Sequence, residues 1–114
     1  MPQTANAVVA LTTVATDEAA EALVRALLER RLIACGTMLS GARSIYRWQG
    51  RVEDAREVVV LLKTVRAQVA ALEAAFAALH PYEVPELLVL PVEYGLGAYL
   101  GWIAAETGTA DPAG

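Results

Sequence analysis

Two hydrophobic periods alternate along this chain. Residues 7–13 form a short apolar run rich in Val and Leu, the composition of a buried strand. A helical period follows, with Ala20, Leu23, Val24, Leu27 and Leu28 at three- and four-residue spacing. Thr16 is placed to cap that helix, and Asp17 and Glu18 stand in its first turn, where the dipole favours anions. Arg30 and Arg31 stand at its negative end. Strand-like alternation resumes over residues 32–38, with Ile33, Cys35 and Thr37 on one face and Ala34, Gly36 and Met38 on the other. Ser40-Gly41 interrupts it as a bulge does. Beyond the interruption Ser44, Tyr46 and Trp48 share one face, and Arg43, Ile45 and Arg47 share the other. Gln49-Gly50 has the length and the glycine of a tight hairpin turn, and the returning strand covers residues 52–64. Two long strands joined by so short a turn predict an arm that projects beyond its sheet.

A second helical stripe, Val69, Leu72, Phe76 and Leu79, predicts a helix over residues 66–79. It stops at the corner His80-Pro81-Tyr82-Glu83-Val84-Pro85-Glu86, where Pro81 ends the helix and biases His80 away from helical torsions. A fourth strand is predicted over residues 86–92, and Leu96, Tyr99, Leu100 and Ile103 predict a short terminal helix with Trp102 beside its stripe. Residues 1–6 and 107–114 read as flexible tails, which leaves one domain over residues 7–106. The order of elements is that of an α+β, ferredoxin-like βαββαβ sandwich with a long hairpin between its second and third strands and a short C-terminal helix. Right-handed crossovers put both main helices on one sheet face. The other face would lie bare: Val8, Val58, Val60, Leu88 and Leu90 exceed what two helices can hide, which predicts oligomerisation.

Composition narrows the function more than the fold. A hydrophobic fraction of 56% excludes a disordered chain, and in a chain of 114 residues it again points to apolar surface buried between subunits. Nine basic against 13 acidic residues leave a net charge of −4, which argues against a nucleic-acid partner. No apolar run reaches the ~20 residues that span a bilayer, so no membrane association is expected. The N-terminus lacks a basic region followed by an apolar core, and one cysteine cannot close an intrachain disulfide, so the expected location is cytoplasmic.

The residues that could carry chemistry are few. Cys35 is either a small buried strand residue or a ligand for Cu(I) or Zn(II). With one cysteine and one histidine, no closed four-ligand zinc site fits within a subunit. His80 is either a group at a helix terminus or a ligand or acid–base residue. Tyr82 offers a ring and a hydroxyl, while Glu83 and Glu86 read as solvated. Glu57 and Lys63 share strand parity but stand roughly 20 Å apart, so each needs a different partner, for which a neighbouring subunit is the favoured source. Lys63 could receive an anion at a cleft mouth. Tyr46 and Trp48 read as subunit contacts, or as a stacking surface for a ligand. No glycine-rich phosphate loop, nucleophile–base pair or useful carboxylate pair is evident, which leaves a phosphate-ester hydrolase thinly supported.

Five motifs stand in the order and spacing of one family. They are Ala34-Cys35; Ser44-Ile45-Tyr46-Arg47-Trp48-Gln49-Gly50; Glu57 followed by Leu62-Lys63-Thr64; His80-Pro81-Tyr82 with Pro85-Glu86; and Tyr99-Leu100-Gly101-Trp102-Ile103. Over about residues 7 to 106 the chain resembles the CutA family of divalent-cation tolerance proteins. The resemblance implies a ferredoxin-like homotrimer similar to the PII signalling proteins, with no established catalytic reaction. It links bacterial members to tolerance of copper and other divalent cations, and animal relatives to membrane anchoring of acetylcholinesterase. It departs at Gly36, where relatives carry a larger residue and local packing is expected to thin. It departs also at Thr12, where some members have a second cysteine. The function expected is therefore a non-enzymatic trimer that binds a metal ion or small ligand in intersubunit clefts. His80, Tyr82, Lys63, Glu57, Trp48 and Tyr46 would form the cleft, and Cys35 and His80 would be the metal ligands, holding copper or another divalent cation weakly. A trimeric scaffold or signalling protein with no metal role is the alternative.

Overall fold

Strand β1 (Ala7–Val14) organises the sheet, because it pairs on both of its edges. The computed structural model describes residues 6–108. Along one edge β1 runs antiparallel to β3 (Arg51–Val65), and along the other to the short β4 (Leu88–Pro91). β2 (Cys35–Trp48) pairs antiparallel with the outer edge of β3, so the order across the sheet is β2-β3-β1-β4. Helices α1 (Asp17–Glu29) and α2 (Val69–Leu79) share one core with the sheet. Leu23, Val24, Leu27, Leu72 and Phe76 pack there against Ala10, Val14, Val58, Val60 and Leu62. A third helix, α3 (Gly97–Glu106), packs against β1 and β3 and buries Leu100 and Ile103.

Local chemistry sets most element ends. The Thr16 hydroxyl accepts from the Ala19 backbone N–H at 3.1 Å, the N-cap expected of it. Helix α1 ends at Glu29, and Arg31 takes the left-handed conformation (φ 59°) usually left to glycine. The Arg31 N–H reaches Leu28 O and the Leu32 N–H reaches Leu27 O, both at 3.0 Å, which closes the helix as a Schellman motif. Arg31 therefore does not serve α1 with its charge: its guanidinium donates to the Glu106 carbonyl of α3 at 3.2 Å. Gln49 (φ 51°) and Gly50 (φ 80°) make the two-residue hairpin turn between Trp48 and Arg51. The ladder slips between Leu39 and Ala42 around Gly41 (φ 83°), the bulge that Ser40-Gly41 predicted. The paired arm accounts for a longest dimension of 48 Å against 27 and 22 Å.

Four expectations need correction. The helix predicted from residue 66 begins as a 3₁₀ turn, Arg66–Gln68, before α2 proper. The fourth strand is shorter than predicted, since β4 pairs with β1 only from Leu88 to Pro91, an edge position that tolerates proline. Val8, Val58 and Val60 are not on the bare face. They point under the helices and are buried, whereas the open face carries Leu11, Leu39, Val59, Leu61, Leu88 and Leu90. Thr107 and Gly108, expected in the C-terminal tail, are held. The Thr107 hydroxyl donates to Ile103 O at 3.0 Å and the Gly108 N–H to Arg31 O at 2.9 Å. The rest of the two expected tails lies outside the described residues, apart from Asn6. Among the described residues no helix is long and apolar enough to cross a membrane.

Candidate functional site

The corner after α2 is built around a buried imidazole. Pro81 requires an extended residue before it, and His80 takes φ −82° and ψ 134° as the helix C-cap. Its ring turns inward to β1, with only 6% of the residue exposed. The Tyr82 backbone N–H donates to Nδ1 at 3.1 Å, so the ring proton resides on Nε2. Nε2 in turn donates to the Thr13 carbonyl at 3.1 Å and lies 3.0 Å from the Thr12 hydroxyl. Burial holds the His80 pKa below its ordinary value, while the Thr13 bond and the charge of Glu57 pull the other way. Both nitrogens of this neutral ring are committed. His80 orients the backbone of Tyr82, and within the chain its two nitrogens are taken by Tyr82 and Thr13.

Tyr82 carries the corner across to β3. Its ring meets His80 edge-on at 5.0 Å between centroids, and Phe76 flanks His80 from the other side at 5.2 Å. Its hydroxyl donates to Glu57 Oε2 at 2.6 Å. Burial first, then the bond to Glu57, pushes the phenol pKa up beyond the usual tyrosine range, so the hydroxyl stays a donor. Glu57 pairs with Ala42 where the ladder resumes after the bulge and is 8% exposed. A cleft of about 840 Å³ opens beside this pair. Ser44, Tyr46 and Trp48 of the arm form one wall, Glu57 and Thr13 belong to the sheet, and Pro81 to Val84 with Glu86 form the other wall. A smaller hollow of about 290 Å³ shares Glu57 and is lined by Thr16, Asp17, Ser40 and Arg56, among others, with the Ser40 hydroxyl bonded to Asp17.

Of the residues expected in the cleft, Tyr46, Trp48, Glu57 and Tyr82 line it, and His80 stands behind Tyr82. Lys63 is not among the residues of this chain that line it. Its ammonium donates to the Thr37 hydroxyl at 2.8 Å and lies 3.8 Å from Cys35 Sγ, at the β2–β3 pairing of Cys35 with Lys63. Within the chain Glu57 and Lys63 thus find separate partners, Tyr82 for one and Thr37 for the other. The two expected metal ligands are likewise separated: Cys35 belongs to the Lys63 and Thr37 cluster, and His80 is closed by Thr13 and Tyr82. Among the described residues no three His, Cys, Asp or Glu side chains group to hold a metal ion. Thr13 and Ser44 were not anticipated in the cleft; Ser44 shares the parity of Tyr46 and Trp48, which was the available signal. Glu83 and Glu86, read as merely solvated, stand in the wall.

Comparison with known proteins bears on the family and the fold. The family model for the CutA1 divalent ion tolerance protein matches residues 8–106. The divalent-cation tolerance protein CutA of Thermus thermophilus is 43% identical over 100 residues, covering 88% of this chain and 97% of the relative. That of Pectobacterium atrosepticum is 47% identical over 100 residues, covering 88% and 91%. Among solved structures, the divalent cation tolerance protein of Thermus thermophilus superposes with a TM-score of 0.87 at 42% identity, over 90% of this chain and 99% of the other. CutA1 from Oryza sativa superposes at 0.89 with 31% identity, over 95% and 99%.

Proposed function

The chain belongs to the CutA1 divalent ion tolerance family, and on that premise we propose that it acts as a non-enzymatic, PII-like cytoplasmic homotrimer. Its clefts, completed between subunits, take a small ligand or hold copper or another divalent cation weakly. The observation that carries this reading is the charge of the cleft. Its wall includes Glu57, Glu83 and Glu86 and no lysine or arginine, so it favours positive over negative occupants. Trimer formation is supported by the open sheet face, where Leu39, Leu88 and Leu90 are each about half exposed and Leu11, Val59 and Leu61 lie between them. The ferredoxin-like reading is supported by the strand order and the two helices in one core.

The residues of one chain do not fit a tightly held resident metal. His80 has no free nitrogen lone pair, Thr12 offers a hydroxyl where a soft ion wants sulfur, and Cys35 faces an ammonium. Any metal would be held loosely or with ligands from an adjacent subunit. Light scattering on untagged protein, combined with calorimetry against Cu(II) and Zn(II), tests both parts. The expected results are a mass of three chains and affinities weaker than micromolar. A monomeric mass would overturn the assembly, and sub-micromolar binding would overturn the loose metal site.

A further inference from the structure

We propose that the cleft takes an organic cation, an ammonium or guanidinium group on an apolar body, and that Glu57 receives its charge. This rests on the reading of the cleft as the ligand site and names the ligand class.

Glu57 is the first ground. The residue is more than nine-tenths buried, yet among the described residues its carboxylate accepts one hydrogen bond, from Tyr82, and forms no ion pair. A carboxylate has room for about four hydrogen-bond donors, and removing it from water without pairing is costly. The three ion pairs of the described residues engage Arg25, Arg31 and Arg43 elsewhere, with Glu21, Glu106 and Asp54. Glu57 is therefore an acceptor with capacity left, at the wall of a cleft that contains no basic side chain.

The aromatic wall selects the kind of cation. Tyr46 and Trp48 line the same cleft and are 43% and 42% exposed. Ring faces attract cations such as guanidinium and ammonium groups, and the apolar body of such a ligand packs on ring surface that the chain leaves open. A bare divalent ion gains little from them. Small-molecule sites run about 300–1,000 Å³, and the cleft, at about 840 Å³, falls in that range; one metal ion would leave it nearly empty. An anionic ligand such as a nucleotide would meet Glu83 and Glu86 with no cation to receive it.

Titration calorimetry with three shape-matched probes tests this: benzylammonium, benzyl alcohol and benzoate, at pH 7 and low salt. Benzylammonium should bind at least tenfold tighter than benzyl alcohol, benzoate should bind weakest, and the preference should shrink as salt rises. Glu57→Gln should cut benzylammonium affinity at least fivefold, whereas Glu21→Gln on the far surface of α1 should leave it unchanged. Trp48→Leu, which keeps an apolar side chain on the arm, should weaken the same probe about threefold at a mass that light scattering shows to be unchanged, and serves if Glu57→Gln fails to fold. Benzyl alcohol or benzoate binding as tightly as benzylammonium would overturn the cation class while keeping the cleft as a ligand site. Full cation affinity in Glu57→Gln would overturn the role of Glu57. Failure of all three probes would overturn the organic cation; if Glu57→Gln also lowered the mass of the assembly, a basic residue of a second copy would fill the cleft, and the reading of it as a ligand site would fall as well.

Discussion

Tyr82 donates its hydroxyl to Glu57 at 2.6 Å across 25 residues of sequence, which ties the corner after α2 to the middle of β3. It is the only hydrogen bond of the buried Glu57 side chain among the described residues. Tyr82→Phe keeps the ring against His80 and removes only the donor, so it leaves a buried acceptor unpaired. The expected loss is about 1.5–3 kcal/mol, the range for hydrogen bonds to charged groups. Urea unfolding at fixed protein concentration measures it; a midpoint equal to that of the parent would remove the bond from the stability of the corner.

His80 makes the corner sensitive to acid. Burial lowers its pKa from the ordinary 6.5, so the folded protein holds the ring neutral where the unfolded chain would protonate it. The unfolded state then binds more protons, and stability rises with pH between the folded and unfolded pKa values. The contribution is complete above pH 6.5 and is lost as pH falls from there toward the folded value. Protonation would also force a donor onto Nδ1, where the Tyr82 N–H already points. The melting temperature should fall between pH 7.5 and pH 5 more steeply in the parent than in His80→Gln. Parallel curves for the two proteins would assign the acid sensitivity to other groups.

Gly36 is filled from the helix side. A Cβ there would lie 2.6 and 2.7 Å from the two Cγ atoms of Val24 on α1. The packing that the missing side chain was expected to thin is occupied by Val24, which is 5% exposed. Gly36→Ala should cost about 1–3 kcal/mol by overpacking. The double variant Gly36→Ala with Val24→Ala should be less destabilised than the sum of its single changes. Additive losses in thermal or urea unfolding would refute the direct contact.

The open sheet face should respond to charge as an interface does. Leu90 pairs with Val9 and is half exposed, so Leu90→Lys costs a single chain little. Buried against a second copy, the ammonium would be unpaired. Leu90→Lys should lower the mass seen by light scattering at micromolar concentration while leaving the circular dichroism spectrum unchanged. Trp48→Ala on the arm should loosen the assembly more mildly. An unchanged mass in both variants would place the interface elsewhere.

The local devices of this fold could be read from the chain because each is decided within a few residues. Thr16 caps the helix it precedes, Gly50 and Gly41 supply the positive φ of the turn and the bulge, and Pro81 forces His80 out of α2. The parity of Tyr46 and Trp48 placed both on one face of the arm, and both line the cleft. The same alternation misassigned Val58 and Val60. A period of two separates the faces of a strand, but only the packing of α1 and α2 decides which face is covered.

Sequence alone thus determined the order of elements, the arm and the corner, since φ preferences, caps and hydrophobic periods act between near neighbours. The tertiary structure alone decided who meets whom. His80 reaches Thr12 across 68 residues, Tyr82 reaches Glu57 across 25, and Lys63 turns to Thr37 across 26 instead of entering the cleft. The physical reason is that a polar group leaving water takes whichever partner the packed backbone brings within about 3 Å, and no local pattern encodes that distance.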